Sequence, residues 1–578
     1  MEWKEREIQD PTIVSSLSTE LNSLSESLTR ALVLRGIDSY ETARNYFRGT
    51  KHELFDPHGL ADVELAAQRI AKAISEKERV LVYGDFDADG VTSTAILLKF
   101  LQSHQVETRF YIPHRQKENH GFHKSGVDYA YAENCSLIIV VDCGTNDEET
   151  AEFSKHKGID LVICDHHEND GSAPICCAHV NPNQARCSYA NKEISACALA
   201  FKIIQVTLET LGKSPELADQ HLDLVAISTV CDVMPLVGEN RILVREGLQV
   251  LHSSNHPALR ALITTAKLDP KHLKTSNIAM QLGPRINAAG RMSHAREALH
   301  LLMADSDAEA KRFSQRLDHL NRLRKVEGAK LQPKASKLAR AQLAGKHTSA
   351  LVLYHAQWHP GILGIGATKI AKEFRVPTVI LTDVPNSDDS EIFGSVRTFG
   401  DIHILDAITP CQDILIRFGG HAKAAGLTLK KENLVLFKER LNFEVAKQSS
   451  DQTITSHIEY DAPLKVEEIP GRFHRVLNLC EPFGKANEPP LFMMKNLRPI
   501  DVKLLKGGQH LKMNVQSPDS SFCISAIGFG MANHYQIAEE ARVQKTSIDL
   551  LCHVEENWWK GNVTTQLRFI ALRAYSQS

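Results

Sequence analysis

Several features that would mark a secreted, membrane-spanning or disordered chain are missing from this sequence. None of the twelve cysteines forms a CxxC pair, and only Cys176 and Cys177 are adjacent. That excludes a zinc ribbon and leaves reduced thiols as the expectation. No run of about 18 apolar residues occurs, so no helix is expected to cross a membrane. The opening MEWKEREIQD is polar, with neither an apolar signal core nor Arg/Ser-rich transit character. A cytoplasmic protein without membrane attachment is therefore expected. Basic charge is not in surplus either: 67 Lys+Arg face 70 Asp+Glu, a net charge of -3. Any contact with nucleic acid would have to come from a local groove or patch. Internal repeats and low-complexity tracts are absent.

What is present is an ordinary globular composition, 43% hydrophobic and 24% charged over 578 residues, enough for three or four structural units. Residues 1–60 read as a helical lead-in, in which SLSESLTRALVLRG is an amphipathic helix ending at a glycine. Between 61 and 296 helices alternate with apolar runs: RVLVYG (79–84), ETRFYIP, LIIVVDCG (137–144) and LVICDHH (161–167). Apolar runs without polar alternation, separated by helices, imply a parallel sheet covered on both faces. Residues 297–345 are charged and helical in period, with an interruption expected at Pro333. They read as a solvated connecting helix, or as one on which Arg322, Arg324, Lys325 and Lys330 line a path for a polyanion. A second α/β unit covers 346–449, through SALVLYH, VPTVILTD and the glycine-rich FGGHAKAAG. Residues 450–578 alternate in the manner of a small antiparallel barrel.

The chemistry concentrates in YGDFDADG (83–90), where Asp85, Asp87 and Asp89 alternate directly after a strand. Ligands of open α/β sheets bind beyond the carboxyl ends of the strands. Carboxylates packed this closely repel one another unless a hard cation joins them. An EF-hand is excluded because VTSTAILL follows, with no closing Glu. Asp142 in VVDCG and Asp165, His166 and His167 in ICDHHE occupy further strand ends, and Asp232 in AISTVCDVMPL follows a helix-like segment. Several carboxylates with one His suit Mn²⁺ or Mg²⁺ better than zinc. Two such ions sharing an aspartate would support phosphoryl hydrolysis.

DFDADG, VDCG, DHHE and VCDVMPL, in this order, resemble the four motifs of the DHH phosphoesterase superfamily. GGHAKAAG resembles the signature of the DHH-associated domain. GPRINAAGRM (283–292), QWHPGILGIGA (357–367), GSVRTFG (394–400) and EPFGKANEPPLF (481–492) resemble the RecJ family of bacterial single-strand-specific exonucleases. HLKMNV and NWWKGNVTTQL are similar to that family's oligonucleotide-binding barrel. The resemblance runs from about residue 30 to the last residue. It implies a DHH-type parallel-sheet catalytic domain, a long connecting helix, an α/β DHH-associated domain and a C-terminal OB-like β-barrel. It also implies metal-dependent 5′-to-3′ hydrolysis of single-stranded DNA to 5′-mononucleotides in recombination and repair. Single-strand binding protein and a recombination helicase are the implied partners.

Carried over residue by residue, the metal ligands implied are Asp87, Asp89, Asp142, His166 and Asp232, with Asp142 bridging. Asp85 and His167 stand at matching positions as ligands, orienting groups or substrate contacts, His167 also as an aid to proton transfer. Arg285, Asn287 and Arg291 would face the DNA near the metals. Ser395 and Arg397, with Arg115, would approach a 5′-phosphate, and His421 would border the same cleft. Tyr83, Phe86, Trp358, Trp558 and Trp559 read as core residues or, alternatively, as stacking aromatics. The sequence departs from the family at His120, at Ala196 or Cys197, at Thr398 and at Glu488, none of them an implied metal ligand. Two other readings stay open: a phosphoesterase of small substrates such as pyrophosphate or short oligonucleotides, and a non-catalytic replication scaffold that has lost its metals. DNA and RNA are not distinguished.

Overall fold

The computed structural model describes residues 2–118, 120–345, 348–384, 390–449, 457–505, 507–559 and 562–576. The chain divides into two compact units. One holds residues 55–234 and 246–454; the other holds 1–54, 235–245 and 455–578.

In the larger unit, a fully parallel sheet runs in the order Thr108–Tyr111, Val80–Gly84, Leu137–Val141, Asp160–Cys164, Ala178–Val180. Its inner strands VLVYG and LIIVV are buried at every position, which is why they show no polar alternation. The helix Ala88–Ser103 follows the first acidic motif and is buried nearly throughout. The second sheet joins Leu351–Tyr354 and Thr378–Asp383 in parallel. It continues antiparallel through Glu391–Arg397, Ala424–Lys430 and Leu415–His421. FGGHAKAAG is therefore the tip of a β-hairpin whose turn is Ala422–Lys423.

The connecting helix spans Asp307–Leu343 and continues through Pro333, where the sequence suggested an interruption. Proline removes one helical hydrogen bond and crowds the preceding turn. Here Leu331, Ala335 and Ala339 on both sides of it bury against Leu351, Leu363, Ala367 and Ile380. That packing holds the axis where local propensity would break it. A separate short helix, Arg296–Leu302, precedes it.

In the smaller unit, Phe492–Leu505, His510–Gln516, Cys523–Gly528, Asn562–Ala574 and Ile548–Trp559 close into a barrel through pairing of the first with the last. The barrel is not wholly antiparallel, since Cys523–Gly528 and Asn562–Ala574 run parallel. Leu17, Leu28 and Leu32 share one core with Phe492, Met513 and Phe569, so residues 1–54 are part of this unit. Arg241, from the inserted stretch 235–245, donates to the carbonyls of Tyr46, Leu479, Cys480, Glu481 and Pro482. The EPFGKANEPP segment thus begins as a collar of carbonyls around one guanidinium.

Away from the acidic motifs, the larger unit buries titratable groups near Lys99. Burial raises the Asp223 carboxyl to about 6. Burial, reinforced by Lys99, lowers His221 to about 4 and His256 to about 3. Both ring nitrogens of His256 are buried without a hydrogen-bond partner. At mildly acidic pH the unfolded histidines bind protons that the folded ones refuse. Asp223 works the other way, holding a proton in the fold. The two histidines outweigh the one acid, so this cluster's contribution to stability falls as pH drops from about 6.5 toward about 4. His256→Phe is expected to lose less melting temperature than the wild type over that window. Parallel melting curves, recorded without divalent cations, would remove His256 from the account.

Candidate metal centre and phosphate pocket

Three of the acidic motifs leave a strand of the parallel sheet at its carboxyl end, and the fourth, with Asp232, follows the helix Leu222–Cys231. After Val80–Gly84 the chain turns through Asp85–Asp87 into the helix Ala88–Ser103. Asp87 caps that helix by accepting the backbone N–H of Asp89 (2.9 Å) and Gly90 (3.3 Å). A Cβ at Gly90 would strike the Asp85 backbone at 2.5 Å, so only glycine lets the loop fold back this tightly. Asp89 is buried. Its carboxylate accepts the N–H groups of Ala196 (2.8 Å) and Cys197 (2.9 Å) and the Ser228 hydroxyl (2.6 Å). The first turn of the helix Ala196–Thr210 thus holds it, where the free N–H groups favour an anion. Asp142 follows its strand with a positive φ of 63°, unusual for a residue other than glycine.

Among the described residues, three groups of side chains have ligand atoms within 4.8 Å of one another: Asp85, Asp87 and Asp142; Asp89, His166 and Asp232; and Asp142, His166 and His167. His166 Nε2 lies 3.2 Å from Asp142 Oδ1 and 3.7 Å from both Asp89 Oδ2 and Asp232 Oδ2. Every metal ligand implied by the motifs is therefore drawn together, and Asp85 with them. Burial, then the charges of Asp89, Asp87, Asp85 and Asp232, push the Asp142 carboxyl well above the usual range. Burial also raises Asp85, whose Oδ1 is buried without a hydrogen-bond partner. A crowded, under-satisfied set of carboxylates with imidazole nitrogen fits divalent cations of the Mn²⁺ or Mg²⁺ kind.

The neighbouring histidine is oriented by Asp165. That buried carboxylate accepts the N–H groups of Thr145, His166 and His167 and faces His167 Nδ1 at 2.7 Å. Burial alone would raise the Asp165 carboxyl, but His167 and the surrounding donors hold it well below the usual range. Burial in turn would lower His167; Asp165 outweighs this and raises it. Asp165, which opens the DHH triplet, is a positioning group whose role the motif alone does not assign. Asp165→Asn removes a charge-assisted hydrogen bond of roughly 1.5–3 kcal/mol. Turnover should fall by about 10- to 100-fold with Mn²⁺ affinity little changed. Loss of metal affinity in step with turnover would instead make Asp165 part of the metal cradle.

His120, noted in the sequence only as a departure, places Nδ1 3.3 Å from Asp85 Oδ2, and its ring centroid lies 4.9 Å from that of His167. Burial would lower its pKa, but Asp85 carries it up to about 9.

Beside the carboxylates stands a cluster of opposite charge. The Arg115 guanidinium lies 4.6 Å from the Phe86 ring centroid and within reach of the charges of Asp87 and Asp85. Burial, then Arg115, Arg324 and Arg397, depress Arg291 to about 9, against the pull of Asp87. Burial and Arg115 lower Arg397. A Cβ at Gly364 would lie 2.8 Å from Arg397 Nη2 and 3.4 Å from Ser395 Oγ, so glycine keeps open the space at the start of the helix Leu363–Phe374. Ser395 pairs with Gly426, and Arg397 with Ala424, which itself faces the exposed His421 across the hairpin. Ser395, Arg397 and His421 therefore share one sheet face.

Other sequence candidates take supporting places. Asn287 Oδ1 accepts the Ala88 N–H at 2.8 Å, tying GPRINAAGR to the acidic loop. Arg285 is engaged by Asp318 on the long helix (3.0 Å) and by the Gln281 carbonyl (2.8 Å). Arg322 approaches Asp318, Arg324 donates to Asn321, and Lys330 pairs with Glu327. Tyr83, Phe86 and Trp358 are buried and offer no open stacking face: Tyr83 and Trp358 sit in apolar cores, and Phe86 is covered by Arg115. The side chains of Trp558 and Trp559 lie outside the described residues.

An oxygen-rich metal centre on a parallel sheet, followed by a glycine-rich α/β domain, defines a DHH-type phosphoesterase. The DHH family N-terminal domain matches residues 79–229, the DHHA1 domain 347–447 and the RecJ OB domain 460–571. The single-stranded-DNA-specific exonuclease RecJ of Bacillus subtilis (strain 168) is 33% identical over 98% of this chain and 70% of its own length. The chain belongs to the RecJ family of single-stranded-DNA-specific exonucleases. The fold is that of RecJ from Thermus thermophilus, solved in complex with Mn²⁺, at TM-score 0.81 and 24% identity, covering 100% of this chain and 80% of that one. A structure of exonuclease RecJ bound to manganese superposes at TM-score 0.59 and 30% identity, covering 67% of this chain and 95% of that one.

Proposed function

We propose that this protein removes 5′-mononucleotides from the 5′ end of single-stranded DNA, using two divalent cations, Mn²⁺ or Mg²⁺. The observation that carries this is the meeting of two clusters of opposite charge. The carboxylates around Asp142 call for cations; the guanidinium groups of Arg115, Arg291, Arg324 and Arg397 call for an anion such as a DNA phosphate. Asp85, Asp87 and Asp142 would hold one cation and Asp89, His166 and Asp232 the other, with Asp142 between them. Bound there, the cations would acidify the attacking water and neutralise charge on the leaving oxygen. The chain itself supplies position. Arg115, Ser395 and Arg397 would grip the terminal 5′-phosphate, with His421 at its border, and Arg291 and Arg324 would receive the next. His167, its Nδ1 engaged by Asp165, has Nε2 left to contact the scissile phosphate and pass a proton to the leaving oxygen. Arg285 and Asn287 would act at one remove, by fixing the helix Gly283–Met292.

Within this reading, 61–296 is the catalytic domain, 297–345 the connecting helix and 346–449 the DHH-associated domain. Residues 450–578 are a nucleic-acid-binding barrel and 1–60 a helical lead-in, of which 1–54 fold with it. A role in recombination and repair, a cytoplasmic location, and partnership with single-strand binding protein and a recombination helicase are part of the same proposal. Convergence of all five motif ligands supports catalysis over a metal-free scaffold. The test offers single-stranded, duplex and dinucleotide substrates side by side with Mn²⁺. Rapid digestion of the long single strand alone is expected; faster hydrolysis of the dinucleotide would favour a small-substrate phosphoesterase.

A further inference from the structure

One histidine of the site comes from outside the motifs that carry the other ligands. His120 Nδ1 stands 3.3 Å from Asp85 Oδ2, while Asp85 Oδ1 is buried without a hydrogen-bond partner. Asp85 in turn shares a ligand group with Asp87 and Asp142. The loop that delivers His120 is tied down beside both strands from which these acids emerge. The hydroxyl of Tyr83, on the strand Val80–Gly84, donates to the Gly121 carbonyl at 2.8 Å and accepts the His123 N–H at 3.3 Å. Asp147, which follows Asp142 in the chain, accepts the Phe122 N–H at 2.8 Å. Gly121 has a positive φ of 118°, and a Cβ there would lie 3.3 Å from Asp147 Oδ1, so glycine lets the loop close on that carboxylate. The pair Asp85–His120 repeats the pair Asp165–His167: in each, a buried carboxylate faces Nδ1, and the two rings lie 4.9 Å apart.

We propose that His120 is a positioning residue for the cation of Asp85, Asp87 and Asp142: its Nδ1–H holds Asp85 Oδ2, so that Oδ1 alone is presented to the metal. This deepens the two-cation function proposed above and rests on it. A neutral imidazole with its proton on Nδ1 is sufficient. A carboxylate held by one oxygen neither rotates away nor closes on the ion with both. Small six-coordinate cations, with short and nearly fixed ligand distances, favour that single-oxygen contact. Hydrogen-bonding partners of metal ligands change affinity or activity by about 10- to 100-fold when removed. Direct ligation by His120 fits less well, since it belongs to none of the three ligand groups found among the described residues.

The test is Mn²⁺ binding to the full-length protein without DNA, followed at constant pH by electron paramagnetic resonance of the free ion. The wild type should take up two ions. H120A should lose about 10- to 100-fold in affinity at one site and nothing at the other. Its metal-free melting temperature should stay close to that of the wild type, because the His120 side chain is 47% exposed. H120N, whose amide can donate to Asp85 from about the place of Nδ1, should recover most of the affinity. In nuclease assays H120A should need more Mn²⁺ for half-maximal activity and approach wild-type turnover as Mn²⁺ is raised. A wild type that takes up fewer than two ions would remove the two-cation function and this proposal with it. Two equally tight sites in the wild type and in H120A would overturn this proposal alone. So would lost turnover at unchanged Mn²⁺ affinity, which would place His120 on the DNA. A deficit that H120N leaves unrepaired would overturn it as well, since the bulk of the ring and not its hydrogen bond would then matter.

Discussion

Asp142→Ala is expected to cut Mn²⁺-dependent nuclease activity by at least about a thousandfold while leaving the fold intact. Asp142 belongs to two of the three ligand groups and lies 3.2 Å from His166, which belongs to the third. Its loss would displace both cations. The same residue is a liability when no cation is bound. Its carboxyl is buried among Asp89, Asp87, Asp85 and Asp232, which hold its pKa well above the usual range. Metal-free Asp142→Ala should therefore melt no lower than the metal-free wild type. The wild type should gain melting temperature with added Mn²⁺, since a ligand that binds only the folded state stabilises it. The variant should gain little. Full activity in the variant, or an undiminished Mn²⁺ shift, would contradict the shared-ligand assignment.

Arg397→Ala should cost about 10- to 100-fold on a 5′-phosphorylated strand and much less on a 5′-hydroxyl strand. A charge-assisted hydrogen bond contributes roughly 1.5–3 kcal/mol, and a hydroxyl end never makes the full contact. The structure gives Arg397 the surroundings such a contact needs. It is largely buried, crowded by Arg115, beside Ser395, and faces space that a side chain at position 364 would fill. The dependence on Mn²⁺ should be unchanged. Equal losses on both strands would place Arg397 on the general DNA path instead of at its end.

Most of the acidic centre was legible because its residues come in short motifs at strand ends, where the topology of a parallel sheet puts them together; Asp232 instead ends the helix Leu222–Cys231. DFDADG needed only the strand before it and the glycine after it to reveal a tight carboxylate loop. Asp165 escaped because its role is carried by hydrogen bonds to Thr145 and His167, which no spacing reports. His120 escaped because it meets Asp85 across a loop and not within a motif. The aromatic residues left two readings open, core or stacking platform, and packing puts Tyr83 and Trp358 in the core. Pro333 shows the same limit for secondary structure. A local helix breaker lost to Leu331, Ala335 and Ala339 packed on the second sheet. Residues 1–54 read as a lead-in, since nothing in a linear pattern tells Leu17 or Leu28 that its core partners are Phe492 and Met513.

One measurement bears most directly on the central claim that cations and a 5′-phosphate pocket together define the reaction. Single-stranded DNA labelled at the 5′ end, and the same strand labelled at the 3′ end, are digested with Mn²⁺ and sampled over time. The 5′ label is expected to appear at once as a mononucleotide, the 3′-labelled strand to shorten progressively, and a chelator to stop both. Immediate release of the 3′ label as a mononucleotide, or digestion that survives the chelator, would contradict that claim.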